Sequence, residues 1–84
     1  PFNPSTTISY SLPENVENAK IEIYNIKGQK IKTLPISSQH IHNSNSITWN
    51  GTDKNKTSVA SGIYLYKLFV DGKTLASKRM MMLK

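Results

Sequence analysis

Ser61-Gly62-Ile63-Tyr64-Leu65-Tyr66-Lys67-Leu68-Phe69-Val70, followed by Asp71-Gly72 and the run from Lys73 to Lys84, reads as two strands joined by a tight turn. Aromatic and β-branched residues dominate the first half, which suits a pleated, half-buried strand. Asp-Gly supplies the positive-φ positions of a type I′ turn, whose twist matches its flanking strands. A two-residue loop then sets Val70 opposite Lys73, Leu68 opposite Leu75, Tyr66 opposite Ser77 and Tyr64 opposite Arg79. Alternation puts Tyr64, Tyr66, Leu68 and Val70 on one side, and Ile63, Leu65, Lys67 and Phe69 on the other. The Tyr side is the expected core face, because an unpaired Lys67 is expensive to bury. Ile63, Leu65 and Phe69 then need a cover of their own, from the chain's loops or from a partner.

Earlier segments repeat the pattern. Pro1 and Pro4 hold the start extended, and Thr6 to Leu12 places Ile8, Tyr10 and Leu12 on one face with hydroxyls on the other. Pro13-Glu14-Asn15 stops that strand. Ala19 to Tyr24 alternates again, with Lys20 and Glu22 expected to face water. Asn25-Ile26-Lys27-Gly28 has the layout of a type I turn with a left-handed Gly, and Gln29 to Leu34 returns as the partner strand. Residues 35 to 46 read as a polar surface loop, with room for a short strand through Gln39 to His42. Ser46 to Asn50 is a short strand on which Ile47 and Trp49 share a face. In the following loop, Asp53 is expected to accept from backbone amides two residues on. No helical period and no internal repeat occurs, so the fold class is all-β. Six or seven short strands argue an immunoglobulin-like β-sandwich of about seven antiparallel strands.

Length allows one domain, residues 1–84, which buries roughly 60–70% of its unfolded surface. There is no cysteine, hence no disulfide framework and no thiol chemistry. The net charge of +6 comes from eleven Lys/Arg against five Asp/Glu, dispersed along the chain. Dispersed lysine with a single arginine is poor equipment for reading bases, so no nucleic-acid partner is expected. Acidic headgroups, anionic polysaccharide or solubility account better for the excess. No apolar run reaches the ~20 residues of a membrane helix, and no signal peptide opens the chain. The start at Pro1-Phe2-Asn3-Pro4 reads as the tail of a longer protein.

Little here carries chemistry. His40 and His42 share a strand face, but no Cys, Asp or Glu lies near them in sequence to complete a metal site. Their role stays open. Asp53-Lys54-Asn55 begins like a calcium loop yet lacks the sixth-position Gly and the twelfth-position Glu. Glu14, Glu17, Glu22, Asp53 and Asp71 sit on turns or exposed strand faces, where no opposed acid pair is in view. Ser61 lacks a nucleophile elbow and an acid–base partner. No catalytic residue, cofactor or metal is therefore expected. Tyr24, Tyr64, Tyr66, Trp49 and Phe69 are the residues a sugar-stacking platform would use, although alternating strand aromatics are more often core. The expected core comprises Ile8, Tyr10, Ile21, Ile23, Trp49, Tyr66 and Leu68. Lys78-Arg79-Met80-Met81-Met82-Leu83-Lys84 sets four apolar residues between cations, which fits either a strand covered on both sides or an adaptable recognition surface.

Taken together, Pro1 to Ile8, the hairpin Ile23 to Ile31, the turn Trp49-Asn50-Gly51-Thr52-Asp53, the strand Ala60 to Leu68 and Lys78-Arg79-Met80 have a family likeness. The chain resembles the type A C-terminal sorting domain of the Por (type IX) secretion system. It is similar also to the immunoglobulin-like domain of the flagellar hook-capping protein. The resemblance implies a seven-stranded sandwich at the C-terminus of a larger secreted protein, covalently following an N-terminal cargo domain. It implies transit through the periplasm and recognition by an outer-membrane translocon. A sortase-like peptidase then removes the domain, upstream of Pro1, as the cargo reaches the cell surface. The family's Gly-x-Tyr element falls on Gly62-Ile63-Tyr64 and its basic pair on Lys78 and Arg79. Gly62, Tyr64, Lys78, Arg79, Met80, Met82 and Lys84 are the candidate recognition residues. The three-Met run is richer in Met than the Leu/Val usual there.

Three functions remain in view: a non-catalytic sorting module, an accessory sandwich that binds carbohydrate or spaces an extracellular enzyme, and an assembly module of the hook-capping kind. A reading of Trp49 as a sugar contact requires it to be accessible. A cation–π contact between Arg79 and Tyr64 requires the regular hairpin register.

Overall fold

The computed structural model describes residues 5–13, 16–36 and 45–83. The described residues form six strands, β1 (Thr6–Ser9), β2 (Ala19–Tyr24), β3 (Lys30–Ile36), β4 (Ser46–Trp49), β5 (Gly62–Val70) and β6 (Lys73–Met82). Pairing is antiparallel throughout, in a two-stranded sheet β1-β4 and a four-stranded sheet β3-β2-β5-β6. This is an all-β, immunoglobulin-like sandwich with six strands among the described residues, where about seven were expected. The strand expected through Gln39 to His42, with both histidines, lies outside the described residues, as do Pro1 to Pro4 and Lys84. No helix among the described residues is long and apolar enough to cross a membrane.

One core joins the sheets. Ile8 and Trp49 come from the small sheet, Ile21, Ile23, Ile36, Tyr64, Leu68, Val70 and Met82 from the large one, and Tyr10 and Val16 from connections. Period-2 alternation delivers them: Ile21 and Ile23 on β2, and Tyr64, Leu68 and Val70 on β5, all point the same way. Each fully buried aliphatic side chain is worth about 1.5–3 kcal/mol. Tyr66 sits at the margin of this core, half-buried rather than enclosed.

The turns follow their sequence chemistry. Gly28 adopts φ 85° and donates its N–H to the Asn25 carbonyl at 2.9 Å, while Asn25 Oδ1 accepts from the amides of Lys27 and Gln29. Asp71 (φ 49°) and Gly72 (φ 85°) make the left-handed pair of the second hairpin. Asp53 Oδ1 accepts from Asn55 N–H at 2.9 Å and Thr57 N–H at 3.0 Å, closing the loop after β4.

β3 runs on through Pro35 to the buried Ile36, where a polar surface loop was expected to begin at residue 35, and two further expectations are overturned. The β5–β6 ladder starts as counted, with Val70 opposite Lys73 and Phe69 opposite Thr74, then a bulge at Leu75 sets Leu68 opposite Ala76. Beyond it Tyr66 faces Lys78 and Tyr64 faces Met80, not Ser77 and Arg79. A one-residue slip exchanges the faces of a strand, so Met80 and Met82 turn inward and Arg79 and Met81 outward. The second correction concerns Glu22, which is only 7% exposed. Tyr24 and two lysines fold over its carboxylate, and that closure removes it from water.

Candidate docking surface

Gly62, at the start of β5, has φ 154°, a conformation that side-chain-bearing residues rarely adopt, and it turns the chain into the strand. Two residues on, the Tyr64 hydroxyl donates to the Ala60 carbonyl at 2.6 Å, four residues back along the same chain. That bond is the geometry of a tyrosine corner in immunoglobulin-like sandwiches. The Tyr64 ring meets Trp49, whose indole N–H donates to the Thr52 carbonyl at 2.8 Å. Trp49 is fully buried and Tyr64 nearly so. Gly62-Ile63-Tyr64 thus fastens β5 to β4 and its loop. An accessible sugar platform cannot include Trp49.

The tail divides the remaining candidate residues. Met82 is fully buried and Met80 packs partly against the same core. Lys78 and Arg79 are exposed, and Lys84 lies outside the described residues. Because Arg79 pairs with Leu65, it stands on the sheet face away from Tyr64 and makes no cation–π contact with it. The candidate recognition residues leave out Met81, Leu83, Ile63 and Ile26, which are 57%, 67%, 40% and 72% exposed, although the apolar tail and the need of Ile63 for a cover point this way. Ile63 pairs directly with Met81, and a shallow depression runs between them beside Arg79 and Met80. Beside it a second depression joins Ile63 to Asn25 and Ile26. The result is an apolar patch with Arg79 at its border, at one end of the outer face. Exposed apolar residues gathered in one place, with charge at the rim, are the mark of an interaction surface.

The rest of that outer face is covered by the chain's own lysines. Lys20 Nζ lies 5.4 Å from the Phe69 ring centroid and Lys67 Nζ 5.1 Å from that of Tyr24. Long ammonium-tipped stems here screen aromatic surface while keeping their heads wet. Between them the Tyr24 hydroxyl donates to Glu22 Oε1 at 2.5 Å, and Glu22 Oε2 meets Lys20 at 3.2 Å and Lys30 at 3.5 Å. The Tyr24 hydroxyl, helped by the lysines, holds the Glu22 carboxyl below its ordinary range against the opposing effect of burial. Reciprocally, the bond to Glu22 pushes the Tyr24 phenol up. The network is structural, and it leaves the Ile63–Met81 end as the uncovered part.

A third concavity, of about 360 Å³, opens between the sheets, where Ser9, Tyr10 and Ser11 approach Leu75, Ala76 and Lys78. The Tyr10 hydroxyl is buried and has no hydrogen-bond partner among the described residues. No group of three or more His, Cys, Asp or Glu among the described residues could hold a metal ion.

No curated protein matches the chain. Among solved structures, that of dimeric latent PorU from Porphyromonas gingivalis is similar, with a TM-score of 0.74 and 26% identity over 96% of this chain. The chain corresponds to 8% of the length of that protein. A family model described as the FlgD Ig-like domain matches residues 3–73. Both findings agree with the resemblance read from the sequence, to a type A sorting domain and to its hook-capping relative. With the sandwich, the tyrosine corner and that match in hand, the chain belongs to the FlgD Ig-like domain family.

Proposed function

We propose that this domain is a non-catalytic C-terminal sorting signal, which directs a covalently attached N-terminal cargo through the outer-membrane type IX (Por) translocon to the cell surface. In this reading a sortase-like peptidase removes it on surface attachment, and the protein is secreted, with the periplasm as its route. The observation that carries the reading is the likeness to part of PorU, at 26% identity over 96% of this chain. The exposed Ile63 and Met81 beside Arg79, with Ile26 adjoining Ile63, support it, because an address must offer a surface to its reader. Gly62, Tyr64, Met80 and Met82 serve by holding that surface in place, and Arg79 belongs to it.

The test is a fluorescent reporter fused ahead of residues 1–84 in a host with this export route. Removing residues 78–84 takes Met82 out of the core and confounds recognition with unfolding. Met81→Asp with Arg79→Glu alters only exposed side chains. The double variant is expected to leave the reporter in the periplasm while melting like the parent domain. Normal surface delivery of that variant would sink the reading. A second reading, an assembly module of the hook-capping kind, is favoured by the FlgD Ig-like match itself. A parent protein carrying a large secreted catalytic domain upstream would decide against it.

A further inference from the structure

β6 is the last strand in the order β3-β2-β5-β6, and its side away from β5 has no backbone partner among the described residues. At its far end the Met81 carbonyl accepts from Thr6 Oγ1 at 3.4 Å, so that carbonyl points away from β5. Antiparallel ladders alternate, which gives Arg79 and Ser77 the same orientation. Their N–H and C=O groups are therefore the ones on the edge that have no partner among the described residues. Long, flat edges are hazards that proteins blunt with charge and bulges. This edge has both devices, the bulge at Leu75 and the exposed cations Lys73, Lys78 and Arg79. The ion pairs among the described residues engage only Lys20 and Lys30, both with Glu22, so the three edge cations have no acidic partner among those residues. Beneath the strand lies the 360 Å³ concavity with Tyr10 in its wall, whose buried hydroxyl has no hydrogen-bond partner among the described residues.

We infer that the free edge of β6 accepts an extended acidic segment of a partner protein by strand addition. The segment's backbone pairs with Ser77 and Arg79, its carboxylates meet Lys73, Lys78 and Arg79, and alternate side chains enter the concavity beside Tyr10. Main-chain bonds supply affinity in such an arrangement, and alternate side chains supply choice. The same cations select against a second copy of this chain, whose β6 would bring like charges edge to edge. This inference rests on the docking reading above and names the partner's chemistry.

The experiment titrates the 84-residue chain with a ten-residue peptide alternating Glu and Thr, against one alternating Lys and Thr, following backbone amides by NMR. The acidic peptide is expected to bind, to slow hydrogen exchange at the Ser77 and Arg79 amides, and to weaken with added salt. Ser77→Pro removes an outward N–H without touching a β5 bond, and is expected to weaken binding about tenfold. Lys78→Glu with Arg79→Glu keeps the backbone and is expected to abolish the preference for the acidic peptide. Equal binding of both peptides, undiminished binding by Ser77→Pro with its melting temperature kept, or dimers of the free chain through β6 would each overturn the inference. The reporter fusion separates the two levels. Export of the parent fusion without peptide binding removes strand addition and leaves the sorting reading, whereas peptide binding without export does the reverse.

Discussion

The Trp49 and Tyr64 rings meet edge to face, with centroids 5.2 Å apart and planes at 73°, and through them the two sheets are joined. Such pairs add about 0.5–1.5 kcal/mol beyond the area they bury. Each ring is also held by its polar end, Trp49 to Thr52 and Tyr64 to Ala60. Trp49→Ala is expected to cost about 3–5 kcal/mol, a large part of what a domain this small possesses. Tyr64→Phe keeps the ring and loses only the bond to Ala60, for about 1 kcal/mol. Urea denaturation of the two variants checks the ranking. A Trp49→Ala domain as stable as its parent would contradict the burial described for it.

Acid should weaken the outer face. The Glu22 carboxyl titrates below its ordinary value of 4.5, chiefly because the Tyr24 hydroxyl donates to it. A depressed carboxyl contributes stability that is complete above that ordinary value and is lost as pH falls through the lower folded value. The Tyr24 phenol is raised above 10.0 by the same bond. Its contribution is complete below 10.0 and is lost as pH rises through the higher folded value. Denaturation midpoints between pH 7 and pH 3 test the acid limb, which Glu22→Gln is expected to flatten. An acid limb unchanged by that substitution would mean that the carboxylate bonds contribute nothing.

Asp71 performs two tasks in the β5–β6 turn. It takes φ 49°, and its Oδ1 accepts from the amides of Asn18 at 2.8 Å and Glu17 at 3.2 Å. Its own N–H donates back to the Asn18 carbonyl at 2.9 Å. The turn therefore anchors the connection leading into β2. Asp71→Asn retains both the tolerance of positive φ and the acceptor, so it is expected to cost well under 1 kcal/mol. Asp71→Ala loses both and is expected to cost about 1–3 kcal/mol. Thermal melts order the pair, and faster amide exchange at Glu17 and Asn18 in the Ala variant would locate the damage.

These features differ in how far the chain reveals them. Asn25 to Gly28, Asp53 and Asp71-Gly72 are legible because turn chemistry is local: Asn25 and Asp53 each accept from amides two and four residues on, and Asp71-Gly72 takes the left-handed pair, whereas the reach of Asp71 to Glu17 and Asn18 is not written in the local sequence. Alternation on β2 and β5 is legible for the same reason. The fate of Glu22 is not, since its burial needs Lys30 from across the hairpin and Tyr24 turned back toward it. The cover over Phe69 and Tyr24 is hidden likewise, because lysines read as solvated wherever they stand. The docking patch is legible only in part, as an apolar tail and an Ile63 in need of cover. Met80-Met81-Met82 is apolar in either register, so the sequence cannot choose which methionine faces out.

The bulge at Leu75 accommodates the register that the core selects, and removing it is the sharpest check on the patch. With Leu75 present, Thr74 faces Phe69 and Ala76 faces Leu68, so the extra residue is absorbed without moving either neighbour across the sheet. Leu75 itself is 50% exposed and adds little to the core. Deleting Leu75 is expected to leave Tyr64 opposite Met80 and Gly62 opposite Met82, with stability changed by no more than about 1 kcal/mol. Inserting a residue between Ala76 and Ser77 instead forces either a wider bulge or a slip. A slip would send Met80 and Met82 outward and bring Arg79 and Met81 to the core face, where an unpaired cation is costly. Cross-strand contacts between Tyr64 and residue 80, read by NMR, distinguish these cases. Loss of the Tyr64–Met80 contact in the deletion variant would show that the bulge residue, and not the core, sets the register.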